Sequence, residues 1–337
     1  MKKIVTLGEI MLRLSVNNSE KLFQADQLTM HYGGAEANVA VSLSNFGHDV
    51  YFVSKIPENP LGIAVERQMK ANSVHTDYLM KGGERLGTYY LEIGVGQRSS
   101  QVTYDRKYSS FSMLRTEEIN LDEVFSGVEL FHVSGITPAL SQNLKELTLL
   151  ALKKAKEKGI LTSFDFNYRA KLWSQQEAAE TIKELLPFVD ICSCGELDAV
   201  YILGMDQADH SLPREEKLRY YYSKLIEMYP NIRYIGSTFR NIISASTNTL
   251  QGNYFTEGEL YQSKVFQIDH IVDRVGGGDA FAAGILYGIL ENMPSEELIA
   301  FATAASALKH TVHGDYNVFS VDEVVTFANN GAGKIVR

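Results

Sequence analysis

Ile268-Asp269-His270-Ile271-Val272-Asp273-Arg274-Val275-Gly276-Gly277-Gly278-Asp279-Ala280 runs from an apolar strand-like segment through three glycines into the alanine-rich stretch 280–290, which reads as a helix. Strand, glycines, helix is the order that builds an anion cradle. Without side chains, Gly276, Gly277 and Gly278 let backbone N–H groups approach a phosphate, and the positive end of the following helix adds to the attraction. Asp279 stands in the first helical turn, where the same field favours its ionised form. A carboxylate beside such a cradle can take the proton of an attacking hydroxyl. Taken alone, the stretch is equally a plain turn with Asp279 as a capping residue. Neither the G-x-G-x-x-G pattern of dinucleotide folds nor the G-x-x-x-x-G-K-[ST] loop is present. Gly331-Ala332-Gly333-Lys334 resembles a fragment of the latter, yet too few residues follow for a helix, and it reads as a tail.

Working outward, short β-branched runs alternate with longer helical stretches. The runs at 50–53 and 130–133 precede helical patterns at 61–70 and 142–158, and 160–166 and 189–192 repeat the rhythm. This predicts α/β architecture on a largely parallel sheet. Segments 11–16, 28–32, 87–95 and 101–106 alternate polar and apolar residues with no helix between partners, as antiparallel strands wetted on one face do, and predict a small β-lobe over a cleft. The stretches 233–246 and 250–265 predict an antiparallel edge of the main sheet. With 337 residues, 45% hydrophobic and 22% charged, the chain is expected to form one domain over 1–337 rather than a disordered or fibrous structure.

The formal charge of −9 argues against a nucleic-acid partner, which needs basic surface, and leaves room only for a local anion pocket. The first residues read as a strand rather than a signal peptide, and no run approaches the roughly 18 apolar residues of a membrane span. The expected location is cytoplasmic. Cys192 and Cys194 share one face of a strand, poor geometry for a disulfide, and are expected to be small buried residues. His310 and His313 lack a third metal ligand and are expected at the surface.

Two separated signatures, His31-Tyr32-Gly33-Gly34-Ala35-Glu36-Ala37-Asn38-Val39-Ala40 and the turn ending at Asp279, resemble the PfkB (ribokinase-like) carbohydrate kinases over nearly the whole chain. The resemblance implies a three-layer α/β/α fold with a mostly parallel central sheet and a β-lid from about 11–32 and 86–108. It also implies ATP and Mg2+, with a monovalent cation as a further candidate, and a homo-oligomer whose lid could offer a pairing surface. Gly33, Gly34 and Asn38 are then expected to touch sugar hydroxyls. Within the family the chain is most similar to 2-keto-3-deoxygluconate kinases. The matching residues are Tyr90, Tyr104 and Arg106 on the lid, Ile136 in Ser134-Gly135-Ile136-Thr137, and Arg169 after Asp165-Phe166-Asn167-Tyr168. A sugar acid needs a fork of donors, which arginine supplies, so Arg106 and Arg169 are expected on the carboxylate.

On the nucleotide side, the resemblance assigns Ser237 and Arg240 to the phosphates, where the Gly276 and Gly278 backbone also points and Arg274 is expected to add a cation. Two departures stand out. The family's Asn-x-x-Glu is replaced by Gly195-Glu196-Leu197-Asp198, which leaves Asp198 as the metal-side carboxylate. In the family's Asp-Thr-x-Gly-Ala-Gly-Asp, Arg274 replaces Thr and Gly277 replaces Ala, a change expected only to loosen the turn. The implied reaction is ATP-dependent phosphorylation of 2-keto-3-deoxygluconate, with Asp279 as base. A fructokinase or ribokinase acting on a neutral sugar is the alternative, and a non-catalytic sugar sensor is the reading from another class.

Overall fold

The computed structural model describes residues 1–17 and 20–330; the tail expected at 331–334 lies outside them. In chain order the strands are β1 (Lys3–Leu7), β2 (Met11–Ser15), β3 (Thr29–Gly33), β4 (Asp49–Ile56), β5 (Leu79–Lys81), β6 (Thr88–Glu92) and β7 (Gln101–Asp105). They continue as β8 (Leu130–Ser134), β9 (Leu161–Asp165), β10 (Ile191–Ser193), β11 (Tyr234–Ile242), β12 (Asn248–Thr256), β13 (Glu259–Gln262) and β14 (Phe266–Ile268). The helices are α1 (Ala35–Asn45), α2 (Pro60–Ala71), α3 (Leu121–Val124), α4 (Ile136–Ala139), α5 (Gln142–Glu157) and α6 (Gln175–Leu185), then α7 (Glu196–Tyr201), α8 (Arg214–Met228), α9 (Gly277–Leu290), α10 (Ser295–Lys309) and α11 (Val321–Asn330).

The main sheet has the order β13-β12-β11-β10-β9-β8-β1-β4-β5. It is parallel from β11 to β5 and antiparallel at β11–β12–β13, with β14 antiparallel on β12. The period of two in a strand sorts side chains between two cores. Ile4, Val50 and Phe52 face one core with residues of α1, α9 and α10. Val5, Leu7 and Val53 face the other with residues of α5, α6 and α8. Because both faces are covered, these strands read as continuous apolar runs in the sequence. The result is the expected three-layer α/β/α arrangement. Cys192 and Cys194 are buried and unpaired. No helix among the described residues is long and apolar enough to cross a membrane.

The second sheet, β3-β2-β6-β7, is made of two antiparallel hairpins, β2–β3 and β6–β7. Its central pair, β2–β6, is parallel, against the wholly antiparallel lobe expected from alternation. The chain leaves β3, crosses the main body through α1, β4, α2 and β5, and returns in the original direction; such long crossovers are what parallel pairs require. The strand expected at 268–272 also ends early, at Ile268. His270 adopts φ +55°, and the N–H groups of Val272 and Asp273 donate to the His310 carbonyl rather than to a sheet neighbour.

Helix α9 carries the predicted base and is apolar nearly all round, as befits a helix packed between α1 and α10. Gly284 sets its depth: a Cβ there would stand 2.5 Å from the Ala302 Cα on α10. The start of α9 is thereby held at the mouth of the main sheet.

Candidate active site

A cavity of about 390 Å³ opens between the small sheet and the carboxyl ends of the parallel strands, the usual ligand position in open α/β sheets. Gly33, Gly34, Asn38, Tyr104, Arg106, Ile136, Arg169, Arg240, Arg274, Gly276, Gly278 and Asp279 all line it. Residues from opposite ends of the chain therefore meet in one cleft. Gly277, Tyr90, Ser237 and Asp198 are absent from its walls.

The turn is built by Gly276, whose φ of +81° suits glycine and whose Cα faces the Asp315 carbonyl so closely that a Cβ would lie 1.8 Å from that oxygen. Gly278 faces open space, which leaves the backbone free to meet a ligand. Gly277 does not merely loosen the turn: a Cβ there would stand 2.5 Å from the His310 ring. His310 itself is fully buried, against the expectation of a surface residue. Its Nδ1 donates to the Ser306 carbonyl at 2.7 Å, and burial pushes its pKa down to about 4, so it stands neutral.

Asn38 Nδ2 donates to Asp279 Oδ2 at 2.7 Å, while Asn38 Oδ1 accepts from the Gly34 N–H at 3.3 Å. The sugar-side signature is thus wired directly to the turn. The field at the start of α9 does not keep Asp279 strongly acidic. Burial pushes its pKa up to about 6, against the opposing pull of the Asn38 bond and the Arg169 charge. Asp165, which closes β9 and also lines the cavity, was not singled out by sequence reasoning. Burial, and then the Asp279 charge, raise its pKa to about 8.

On the sugar side, Tyr89 rather than Tyr90 faces the cleft, because successive residues of β6 point to opposite faces. Its ring packs 5.9 Å from that of Tyr104 on β7. Arg106 lines the cavity, but its fork is already engaged: Nε donates to Glu9 Oε2 at 2.8 Å, and Nη2 donates to the same oxygen. Arg169 is exposed and makes only a 3.2 Å bond to the Tyr168 carbonyl. Glu9 and Glu36 escaped the sequence reading. Glu36 lay in view inside the Gly33–Asn38 signature; its carboxylate accepts from the Ser134 N–H (2.9 Å), Ser134 Oγ (2.7 Å) and Thr137 Oγ1 (2.9 Å).

On the far side, Arg274 Nη2 donates to the Ser244 carbonyl and to Asn248 Oδ1, both at 2.7 Å, and its buried Nε has no partner. Arg240 faces it; burial and the Arg274 charge lower its pKa. Both guanidinium groups line the cavity. Ser237 Oγ instead accepts from the Tyr222 hydroxyl at 2.6 Å, away from the cleft. Asp198 is drawn into capping α7, where Oδ2 accepts from the Gly195 N–H at 2.8 Å. Among the described residues no group of three or more His, Cys, Asp and Glu side chains is arranged to hold a metal ion.

The turn's flanking acids fit a monovalent cation poorly. Asp273 Oδ1 accepts from the Val275 N–H, and its Oδ2 from Arg13 Nη2 and the Gly314 N–H. Asp315 Oδ1 accepts from Arg13 Nη1, and its Oδ2 from the Tyr89 hydroxyl. All four carboxylate oxygens are taken by the chain itself.

Known proteins bear on this geometry. The chain is 33% identical over 335 residues to a 2-dehydro-3-deoxygalactonokinase of Haloferax volcanii, covering 99% of each. The structure of a 2-dehydro-3-deoxygluconokinase from Thermotoga maritima superposes with a TM-score of 0.94 at 41% identity, over 98% of this chain and 100% of that one. A putative ribokinase II from E. coli, solved with ATP and Mg2+, shares the fold at 17% identity and a TM-score of 0.79, over 97% and 99%. The model of the pfkB family carbohydrate kinases matches residues 1–322, both signatures included. With Asp279 at a glycine turn, Asn38 bonded to it and a match over almost its whole length, this chain belongs to the PfkB family of carbohydrate kinases.

Proposed function

We propose that the enzyme transfers the γ-phosphoryl group of ATP to the terminal hydroxyl of 2-keto-3-deoxygluconate, giving the 6-phosphate. The observation that carries this reading is the Asn38–Asp279 bond at the glycine turn, with Arg169 and Tyr104 lining the same cavity. Asp279 takes the proton of the attacking hydroxyl; the hydroxyl oxygen bonds to the γ-phosphorus as the bond to the ADP oxygen breaks. A base with a pKa near 6 is largely ionised at neutral pH, yet basic enough to accept that proton. The N–H groups of the turn, with Arg240 and Arg274, offset the charge spread over the phosphoryl oxygens. Magnesium, when bound, would neutralise phosphate charge, and Asp165, which closes β9 in the cavity wall, is the carboxyl that would hold it through water. The small sheet covers the sugar and keeps water from the phosphoryl group.

Arg169 is the free fork for the substrate carboxylate, while Arg106, tied to Glu9, shapes the wall beside it. The neutral-sugar alternative lacks a use for that exposed cation. Coupled ADP release tests the reading, with 2-keto-3-deoxygluconate, its galactonate epimer, fructose and ribose as acceptors. The keto-deoxy acids should exceed the neutral sugars by at least about 100-fold in kcat/KM, since a lost charge-assisted pair costs a few kcal/mol. Preference for fructose or ribose would sink the acid assignment, and silence on every acceptor would favour a sensor. Asp279→Asn should lose about 10²–10⁴-fold in kcat. In the parent enzyme, kcat/KM should rise with pH through about 6 as the base ionises.

A further inference from the structure

Behind the glycine turn lies a buried charged cluster, of which Asp315 reaches the wall of the cavity. Arg13, in the middle of β2 on the small sheet, is almost completely buried. Its Nη2 donates to Asp273 at 2.6 Å, its Nη1 to Asp315 at 2.8 Å and its Nε to Ser15 Oγ at 2.7 Å. Lys309, the last residue of α10, is also fully buried; its Nζ makes a single 3.4 Å bond to the Val312 carbonyl. Burial lowers the Lys309 pKa, and the charges of Asp273 and Asp315 work against that loss. Arg13 is thus the cation that contacts both carboxylates, while Lys309 makes no salt bridge to either.

The placement matters because both acids flank the cradle. Asp273 opens the loop that leads into Gly276, and the Asp315 carbonyl packs on Gly276 itself. Left bare, two carboxylates behind a phosphate-binding turn would oppose the charge that the turn is built to hold. A bound monovalent ion is one remedy, but the four carboxylate oxygens are already occupied.

We propose that the guanidinium of Arg13 is the built-in cation of this turn, so that the kinase works without a monovalent ion there. The inference rests on the reading of the turn as the phosphate cradle. Arg13 is a positioning residue: it holds the two acids, and through them the turn, and offsets part of their charge. Arg13 also ties that frame to β2, the strand that carries Met11 in the cavity wall.

The test compares the enzyme in potassium, sodium and tetramethylammonium chloride at matched ionic strength, reading kcat, both KM values and the melting temperature. The expected result is less than about twofold change in kcat and no potassium-specific rise in melting temperature, since an ion that binds only the folded state must stabilise it. Activation by potassium of about tenfold or more, or a potassium-specific stabilisation, would overturn the proposal. Arg13→Met removes the cation that bridges the two acids. It should lower kcat by about tenfold or more with the sugar KM within about twofold, the pattern of an interaction needed in the transition state. Wild-type kcat in Arg13→Met would also overturn the proposal. If that variant does not fold, the ion response of the parent enzyme decides alone. Failure of the cradle reading is seen separately, as undiminished turnover in Asp279→Asn.

Discussion

At the scale of single residues, position 277 shows how a local rule depends on a distant neighbour. Where the family signature has alanine this chain has glycine, and the space is filled by His310 from the end of α10. The sequence displays both residues but not their contact, because 33 positions and a whole helical hairpin separate them. Gly277→Ala is therefore expected to destabilise the fold by about 1–3 kcal/mol through overpacking. Adding His310→Ala should recover part of that loss, so the two changes are non-additive; urea unfolding of the four members of the cycle measures the coupling. Equal and additive losses would show that the ring does not restrict the turn.

At the scale of elements, register decided what residue type could not. Tyr89 and Tyr90 are alike in composition, and the period of two in β6 says only that they face opposite ways. Which face meets the cleft became visible once β6 was paired beside β2. The same pairing brings Arg106, just after β7, onto Glu9, just before β2, so that this arginine fastens the small sheet to the large one. Arg106→Ala leaves Glu9 buried without its cation and should cost about 3–5 kcal/mol of stability, with activity falling on every acceptor. Arg169→Ala, at an exposed position, should leave the melting temperature nearly unchanged and raise KM for the acid by about tenfold or more, with little effect on a neutral acceptor. Thermal melts beside acceptor kinetics separate the two arginines. A collapse of acid binding in Arg106→Ala without any loss of stability would return the carboxylate to Arg106.

At the scale of the molecule, the cleft stores unfavourable ionisation. Burial raises Asp165 to about 8 and Asp279 to about 6, above their unfolded values near 3.9. An acid whose folded pKa is raised contributes stability that is fully present below the unfolded pKa and is lost as pH climbs through the folded one. Between pH 6.5 and 8.5 the main loss falls on Asp165, roughly 1–2 kcal/mol. Asp165→Asn should flatten that part of the profile, and denaturant unfolding of both proteins at the two pH values checks it. Parallel profiles would mean that Asp165 is ionised throughout.

The alternation of β-branched runs and helices, the glycine turn and the antiparallel edge at β11–β13 were legible in the sequence, because periodicity and backbone freedom are properties of neighbouring residues. The family signatures likewise carried Asn38 and Asp279 into view. The bond between those two, 241 positions apart, and the clasp of Arg13 on Asp315, 302 apart, belong to the tertiary structure alone. So does the employment of each polar group. Asp198 reads as a metal ligand until its oxygen is found capping α7, and Arg106 as a free fork until Glu9 fills it. Side-chain chemistry is written in the chain, but charge state and unspent hydrogen-bonding capacity depend on what burial and folding pack against each group, and no local stretch of sequence contains that.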